Sequence, residues 1–261
     1  MVKKRLIPVL YIKNGLIVRS ENFEYHQNIG NIINEAKRYN EWDIDELIYI
    51  DISREKFYDL RRDDHKIKSY FSIEEIIIEI SKVCFMPLTF GGGIKNIEDI
   101  DLRIRTGADK VSINTAAFEN PKLITEASLK YGNQCIVISI DYKLINGEAI
   151  VFTRFGQNNT GMKLFDWIRC CEDAGAGEIF LNSIQRDGKA NGYDIELIQN
   201  TCSITSLPVI ACGGAGDLYD FIDLANETSV SAIAAGNLFH FTERSYPRAK
   251  ELMKKNNIYV R

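Results

Sequence analysis

The chain has 261 residues, 45% of them hydrophobic and 26% charged, with a formal net charge of −4. That size and balance allow a full hydrophobic core, and the acidic sign argues against a nucleic acid or an acidic membrane surface as the main partner. No run of about 18 apolar residues offers a membrane span.

The N-terminal MVKKRLIPVLYIKNG has a basic start and only a short apolar run, without a small-residue cleavage site. It reads as a first strand, 6–12, and not as a signal peptide. The polar and aromatic ENFEYHQNIGN, 21–31, is expected as a mobile rim loop. A strand follows at 47–52. The densely charged 54–70 reads as an insertion, either a solvated surface segment or a lid or docking element. SIEEIIIEISKVC, 72–84, opens with Ser72 and Glu75, a capping-box pattern that predicts a helix. Strands at 86–90 and 110–114 come next. A helix over 120–132 takes Asn120 as N-cap, Pro121 at its first position and Gly132 as its stop. Strands at 136–141, 178–183, 207–212 and 231–236 and helices at 164–177 and 217–228 complete the pattern. The eight strand runs are β-branched and almost continuously apolar, as parallel strands covered on both faces must be. Eight strands alternating with helices predict an α/β fold, a closed (β/α)8 TIM barrel spanning 1–261 as one domain. An open doubly wound sheet is the alternative, but no GxGxxG follows the first strand.

The six cysteines form no CxxC pair, and most sit in apolar runs, which reads as buried free thiols in a reducing cytoplasm. His26, His65 and His240 match no metal-ligand spacing, so no metal site and no cofactor is expected.

The chain also repeats itself. DELIYIDISR (45–54) resembles GEIFLNSIQR (177–186), LTFGGGI (88–94) resembles IACGGAG (210–216), VSINTAA (111–117) resembles SAIAAGN (231–237), and LYIKNG resembles IDYKLING. Four matches in one order predict two half-barrels related by a pseudo-twofold axis. Chemistry in such a barrel sits at the C-terminal ends of the strands. Gly91, Gly92 and Gly93 follow the third strand, and Gly213 and Gly214 follow the seventh. Asn114 and Thr115 end the fourth, and Ala235 and Gly236 end the eighth. Glycine lets backbone N–H groups approach a phosphate closely, so each turn with its neighbouring strand end makes a candidate phosphate cradle. Two cradles imply a ligand with a phosphate at each end; tight turns that need positive φ are the bland alternative.

Between the cradles lie Tyr11 and Asp141, where a barrel enzyme would carry a pair of acid/base groups. Asp51, Asp187 and Gly188 also fall on the rim, Asp187 and Gly188 as candidate phosphate or substrate contacts, and either aspartate could simply cap the next helix.

With NFE (22–24), GGGI (91–94), GADKVSINTAA (107–117), RDG (186–188), GGAG (213–216) and FHF (239–241) in view, the sequence resembles the cyclase subunit of imidazole glycerol phosphate synthase, the HisF family, almost end to end. The resemblance implies a heterodimer. A HisH-like glutaminase docks on the strand-start face, and ammonia passes through the barrel to a substrate with two phosphates. It also implies an ammonia gate of four charged residues, here Arg5, Glu46, Lys110 and Glu178, and a pair of catalytic aspartates at positions 11 and 141.

Asp141 is present, but the family's CLDVKDG has become VLYIKNG, so Tyr11 stands at the other position. A phenol with pKa near ~10 is not ionised at neutral pH and cannot serve as the base. Phe155 replaces a small polar residue, and 54–70 is longer than in the family. Divergent relatives with glutaminase partners occur in bacterial surface-sugar gene clusters, and this chain looks similar to them. Three readings stay open: an ammonia-conducting subunit for sugar amidation, a cyclase that tolerates Tyr11, and a sugar-phosphate isomerase on the same repeat.

Overall fold

This computed structural model describes residues 3–54, 70, 72–240 and 243–261. The first half runs β1 (Arg5–Lys13), a hairpin of β2 (Leu16–Glu21) and β3 (Tyr25–Asn31), α1 (Ile32–Glu41), β4 (Leu47–Asp51), α2 (Ile73–Ser81), β5 (Leu88–Gly91), α3 (Ile97–Thr106), β6 (Lys110–Ile113), α4 (Thr115–Glu119) and α5 (Lys122–Tyr131). The second half repeats the plan with β7 (Ile136–Ile145), a hairpin of β8 (Glu148–Thr153) and β9 (Asn158–Lys163), α6 (Leu164–Asp173), β10 (Glu178–Ser183), α7 (Ile195–Ile204), β11 (Val209–Cys212), α8 (Tyr219–Glu227), β12 (Ala232–Ala235) and α9 (Ser245–Lys255).

Strands β1, β4, β5, β6, β7, β10, β11 and β12 pair in parallel in that order, and β12 returns to β1, closing an eight-stranded barrel. The strands are apolar on both faces because both faces are covered. Side chains on one strand alternate sides with a period of two. Leu6, Leu10 and Ile12 face the helices, while Ile7, Val9 and Tyr11 face the barrel interior with Ile48, Val137, Phe180, Ile210, Ala232 and Ala234. The helices lay buried stripes on the outer face; α2 contributes Ile76, Ile77 and Ile80, each worth about 1.5–3 kcal/mol of burial.

The start of α2 is capped as the sequence predicts, with Ser72 Oγ accepting from the Glu75 N–H at 3.3 Å. Asn120 does not cap α5. Its side chain makes no capping bond, and Pro121 already has helical dihedrals, so the chain turns directly out of α4. Gly132 ends α5 at φ 85°.

Segment 21–31, expected as a loop, is the tip and second strand of the β2–β3 hairpin. Its turn places Asn22 and Phe23 at φ 53° and 62°, with the Glu24 N–H on the Glu21 carbonyl. Two positive φ values suit a hairpin turn because they match strand twist. Arg154 and Phe155 adopt the same φ values at the tip of the β8–β9 hairpin. The insertion expected over 54–70 lies outside the described residues except for Arg54 and Tyr70.

Strand register refines the repeat. With DELIYIDISR laid on GEIFLNSIQR, Ile50 matches Asn182. Tyr11 stands opposite Ile50 and Asp141 opposite Asn182, so positions 11 and 141 are equivalent. The glycine turns match one residue away from the letter alignment. Thr89 pairs with Ile48 as Ile210 pairs with Phe180, so Gly92 corresponds to Gly213 and Gly93 to Gly214. The first pair agrees in φ, with Gly92 at 94° and Gly213 at 95°, while Gly93 at 64° and Gly214 at 115° differ. By the same reasoning Asn114 corresponds to Gly236, and Thr115 to Asn237.

Candidate active site and charged ring

The two ends of the barrel carry different chemistry, and the two-residue period connects them. Arg5, Ile7, Val9 and Tyr11 occupy successive inward positions of β1, and Glu178, Phe180 and Asn182 do so on β10. One inward row therefore runs from a charged end, through an apolar middle, to a polar mouth.

At the strand-start end the four expected residues meet. Arg5 Nη1 donates to both Glu46 carboxylate oxygens at 3.0 Å, and Arg5 Nη2 donates to Glu178. Lys110 Nζ donates to Glu46 Oε2 at 3.3 Å and to Glu178 Oε2 at 3.0 Å. The result is a closed ring of alternating sign. Burial works against the Arg5 charge, but Glu178 and Glu46 outweigh it and hold the guanidinium above its ordinary pKa.

At the mouth Asp141 is 7% exposed and accepts a hydrogen bond from Asn114 Nδ2 at 2.8 Å. Burial raises its carboxyl from 3.8 to about 7, with Asp187 adding to the rise and the Asn114 and Asn182 amides opposing it. Asp141 can therefore exchange a proton near neutral pH. Tyr11, also 7% exposed, accepts from Asn182 Nδ2 at 3.3 Å. Burial, with Cys212 and Asp187 nearby, pushes its phenol well above the ordinary value, so it stays neutral.

Asp187 is buried under the first hairpin. Its Oδ2 accepts from Ser20 Oγ at 2.7 Å and from the Phe23 N–H at 3.3 Å. Burial raises its pKa against those bonds. Asp51 Oδ1 accepts from the Ser53 N–H at 3.0 Å, closing the turn after β4. This is a turn role and not the helix cap considered from the sequence.

The glycines have structural reasons of their own. A Cβ on Gly92 would stand 2.0 Å from the Asp51 carbonyl oxygen, and one on Gly214 2.0 Å from the Gly192 carbonyl oxygen. Gly93 is different, since a Cβ there would meet only Arg103 Nη2 at 3.5 Å. Gly92, Gly93, Asn114, Thr115, Asp51 and Asp141 line a cavity of about 690 Å3 that also reaches Tyr11, Lys13, Lys95 and Phe155. Gly188, Gly213, Gly214, Ala235, Gly236 and Asp187 line a separate cavity of about 30 Å3, again bounded by Tyr11.

Asn182, Ser20, Phe23 and Asn237 are site residues that the sequence reading missed. Asn182 had a signal: it is a polar residue in the inward row of EIFLNS, opposite Asp141. The six cysteines are free, but only Cys171 and Cys212 are buried as expected; Cys84, Cys135 and Cys202 are partly buried and Cys170 is exposed. Among the described residues no group of three His, Cys, Asp or Glu side chains could hold a metal ion, and no helix is long and apolar enough to cross a membrane.

Comparison with known proteins decides the family. The histidine biosynthesis protein family matches residues 5–245. The chain belongs to that family. An imidazole glycerol phosphate synthase subunit HisF from Thermotoga sp. (strain RQ2) is 40% identical over 261 residues, all of this chain and 98% of the relative. HisF of Sulfurisphaera tokodaii is 41% identical over the full length of both chains. HisF of Alkaliphilus metalliredigens is 38% identical over 262 residues, again the full length of both. The barrel is as the sequence predicted, and its two equivalent positions 11 and 141 hold a phenol and a carboxylate.

Proposed function

We propose that this chain is the synthase-side subunit of a glutamine amidotransferase complex that conducts ammonia without cyclising a substrate. A HisH-like glutaminase docks on the strand-start face. Ammonia enters through the ring of Arg5, Glu46, Lys110 and Glu178, crosses the apolar interior and leaves at the mouth to amidate a surface-sugar precursor in the cytoplasm. A phosphorylated small molecule occupies the glycine-lined mouth.

One observation supports this reading: the ring of four charges is closed, while of the two equivalent mouth positions one holds a carboxylate and the other a buried neutral phenol. The ring excludes bulk water when closed, and a neutral small molecule crosses the apolar middle without the desolvation cost an ion would meet. Lys110 is held at 3.0 and 3.3 Å with a fifth of its side chain exposed, which makes it the member freest to swing aside when a partner docks.

The second reading, a histidine-pathway cyclase, is favoured by the full-length likeness to HisF and by Asp141 titrating near neutral. Loss of one positioned acid or base costs about 10²–10⁴-fold in rate. The test is ammonia-dependent cyclisation of the ribulosyl formimino substrate, beside stimulation of a cognate glutaminase. Stimulation without turnover, with turnover restored by Tyr11→Asp, supports the conducting role. Robust turnover by the unmodified protein establishes the cyclase. Absence of glutaminase stimulation defeats the conducting role.

A further inference from the structure

The pseudo-twofold axis predicts two equal cradles, and the backbone repeats in part: Gly92 and Gly213 share their φ, and Asn114 and Gly236 share an unusual pair of dihedrals, −117°/−96° and −96°/−85°, while Gly93 and Gly214 differ. The space in front of them is not equal. The first cradle opens into about 690 Å3, and the second faces about 30 Å3. The smaller volume is room for about two water molecules, against many times that in front of the first cradle.

Three features shut the second cradle. The Tyr11 ring lies over it, with Cε2 3.7 Å from where a Gly236 Cβ would stand. The first hairpin is tied down across it: Asn237 Nδ2 donates to the Ser20 carbonyl at 2.7 Å, and the Asn22 N–H donates to the Asp187 carbonyl at 3.1 Å. Phe23 at the hairpin tip packs on Ile150, Phe152 and Ile184. The third feature is charge. Among the described residues, Asp187 is the one charged group lining the small cavity, whereas the large one carries Lys13, Arg54, Lys95 and Arg154 beside Glu24, Asp51, Glu119 and Asp141. A phosphate meets only a carboxylate in the first setting and has cations to pair with in the second.

We propose that the mouth takes a ligand phosphorylated at one end only, seated on Gly92, Gly93, Asn114 and Thr115, because Tyr11, Asp187 and the first hairpin close the matching cradle. This rests on reading the glycine turns as phosphate sites. It deepens that reading by excluding a substrate with two phosphate ends. The unphosphorylated end then lies between Asp141 and the rim aromatics Phe23 and Phe155, all of which line the open cavity.

The experiment follows backbone amides of 15N-labelled protein during titration with glycerol 3-phosphate. The unmodified protein is expected to show saturable shifts at Gly92, Gly93 and Thr115 and none at Gly214 and Asn237. Gly93→Asp tests the seat: φ 64° tolerates aspartate, the added atoms meet little, and binding should weaken about tenfold or more by like-charge repulsion. Gly93→Asn, nearly isosteric and neutral, should keep most of the affinity. Tyr11→Ala combined with Asp187→Asn should add a second saturable set at Gly214 and Asn237. Shifts at Gly214 and Asn237 in the unmodified protein would overturn the one-ended ligand and leave the phosphate reading standing. No second site in the double variant would overturn the roles given to Tyr11 and Asp187. No saturable shift at either cradle in any variant would overturn both readings.

Discussion

The phenol oxygen of Tyr11 accepts a hydrogen bond from Asn182 Nδ2 across the barrel mouth, at 3.3 Å. Asn182 is also the register neighbour of Asp141 and one of the groups that hold its carboxyl down. The tyrosine and the aspartate therefore share one amide, whose two N–H groups lie in a single plane that both acceptors orient. Tyr11→Phe removes one of the two acceptors. The variant should lose about 1 kcal/mol of stability from the missing bond, and the Asp141 titration should move below its value of about 7 as Asn182 turns to it. Urea denaturation and side-chain carboxyl NMR read the two effects. An unmoved Asp141 titration would mean that Asn182 does not divide its bonding between the two.

The charged ring should behave as one unit. Arg5 touches both glutamates, and Glu46 and Glu178 are each 5% exposed. Arg5→Met leaves two buried carboxylates with Lys110 and, 3.8 Å from Glu46, the more exposed Arg261, and should cost about 3–5 kcal/mol, as removal of one partner of a buried pair does. Arg5→Met with Glu46→Gln should cost less than the sum of the single changes, with a coupling of about 0.5–3 kcal/mol. A double-mutant cycle by chemical denaturation measures it, and strict additivity would show that the ring members act separately.

The two glycines of the first cradle should respond very differently to alanine. Gly92→Ala drives a Cβ to 2.0 Å from the Asp51 carbonyl oxygen at φ 94°, a backbone clash that no side-chain movement relieves. Gly93→Ala meets only the end of Arg103 at 3.5 Å and pays the left-handed penalty of about 1–2 kcal/mol. Gly92→Ala should cost about 4 kcal/mol or more. Equal losses in a denaturation series would mean that the turn repacks freely.

Much of this architecture could be read from the residues, and the parts that could not share a cause. The eight barrel strands were visible because burial on both faces makes them continuously apolar; β10 has all six residues buried and β12 all four. The β2–β3 and β8–β9 hairpins stayed hidden because their outer strands, YHQNIGN and NNTGMK, are largely exposed and carry no apolar alternation. Helices α1, α3, α7 and α9 were not picked out either; IEDIDLRIRT of α3 buries only Ile100 and Arg103. The glycine turns were found, but their register slipped by one, since letter matching followed GGG and the ladder follows hydrogen bonds. The four ring residues came from the family resemblance, and Tyr11 came from the repeat. The Tyr11–Asn182 contact joins strands 171 residues apart in sequence, a separation that local pattern cannot bridge.

Two groups should pull the pH dependence of stability in opposite directions over the same range. Asp141 rises from 3.8 to about 7 on folding, chiefly through burial. Between those values the native state holds a proton that the unfolded chain has released, so this term lowers stability as pH rises, and the loss is complete above pH about 7. His240 falls from 6.5 to about 4, through burial and then the Arg38 charge. Between those values the unfolded chain holds the proton, so this term raises stability as pH rises and is fully present above 6.5. Asp141→Asn should therefore gain on the parent progressively from pH about 4 to 7, by about 2–4 kcal/mol at the upper end. His240→Gln should show its relative gain at the acidic end and none above pH 6.5. Urea denaturation of the three proteins across this range gives the two difference curves. Curves of the same slope would show that one of the two side chains is not buried in the ionisation state that the fold requires.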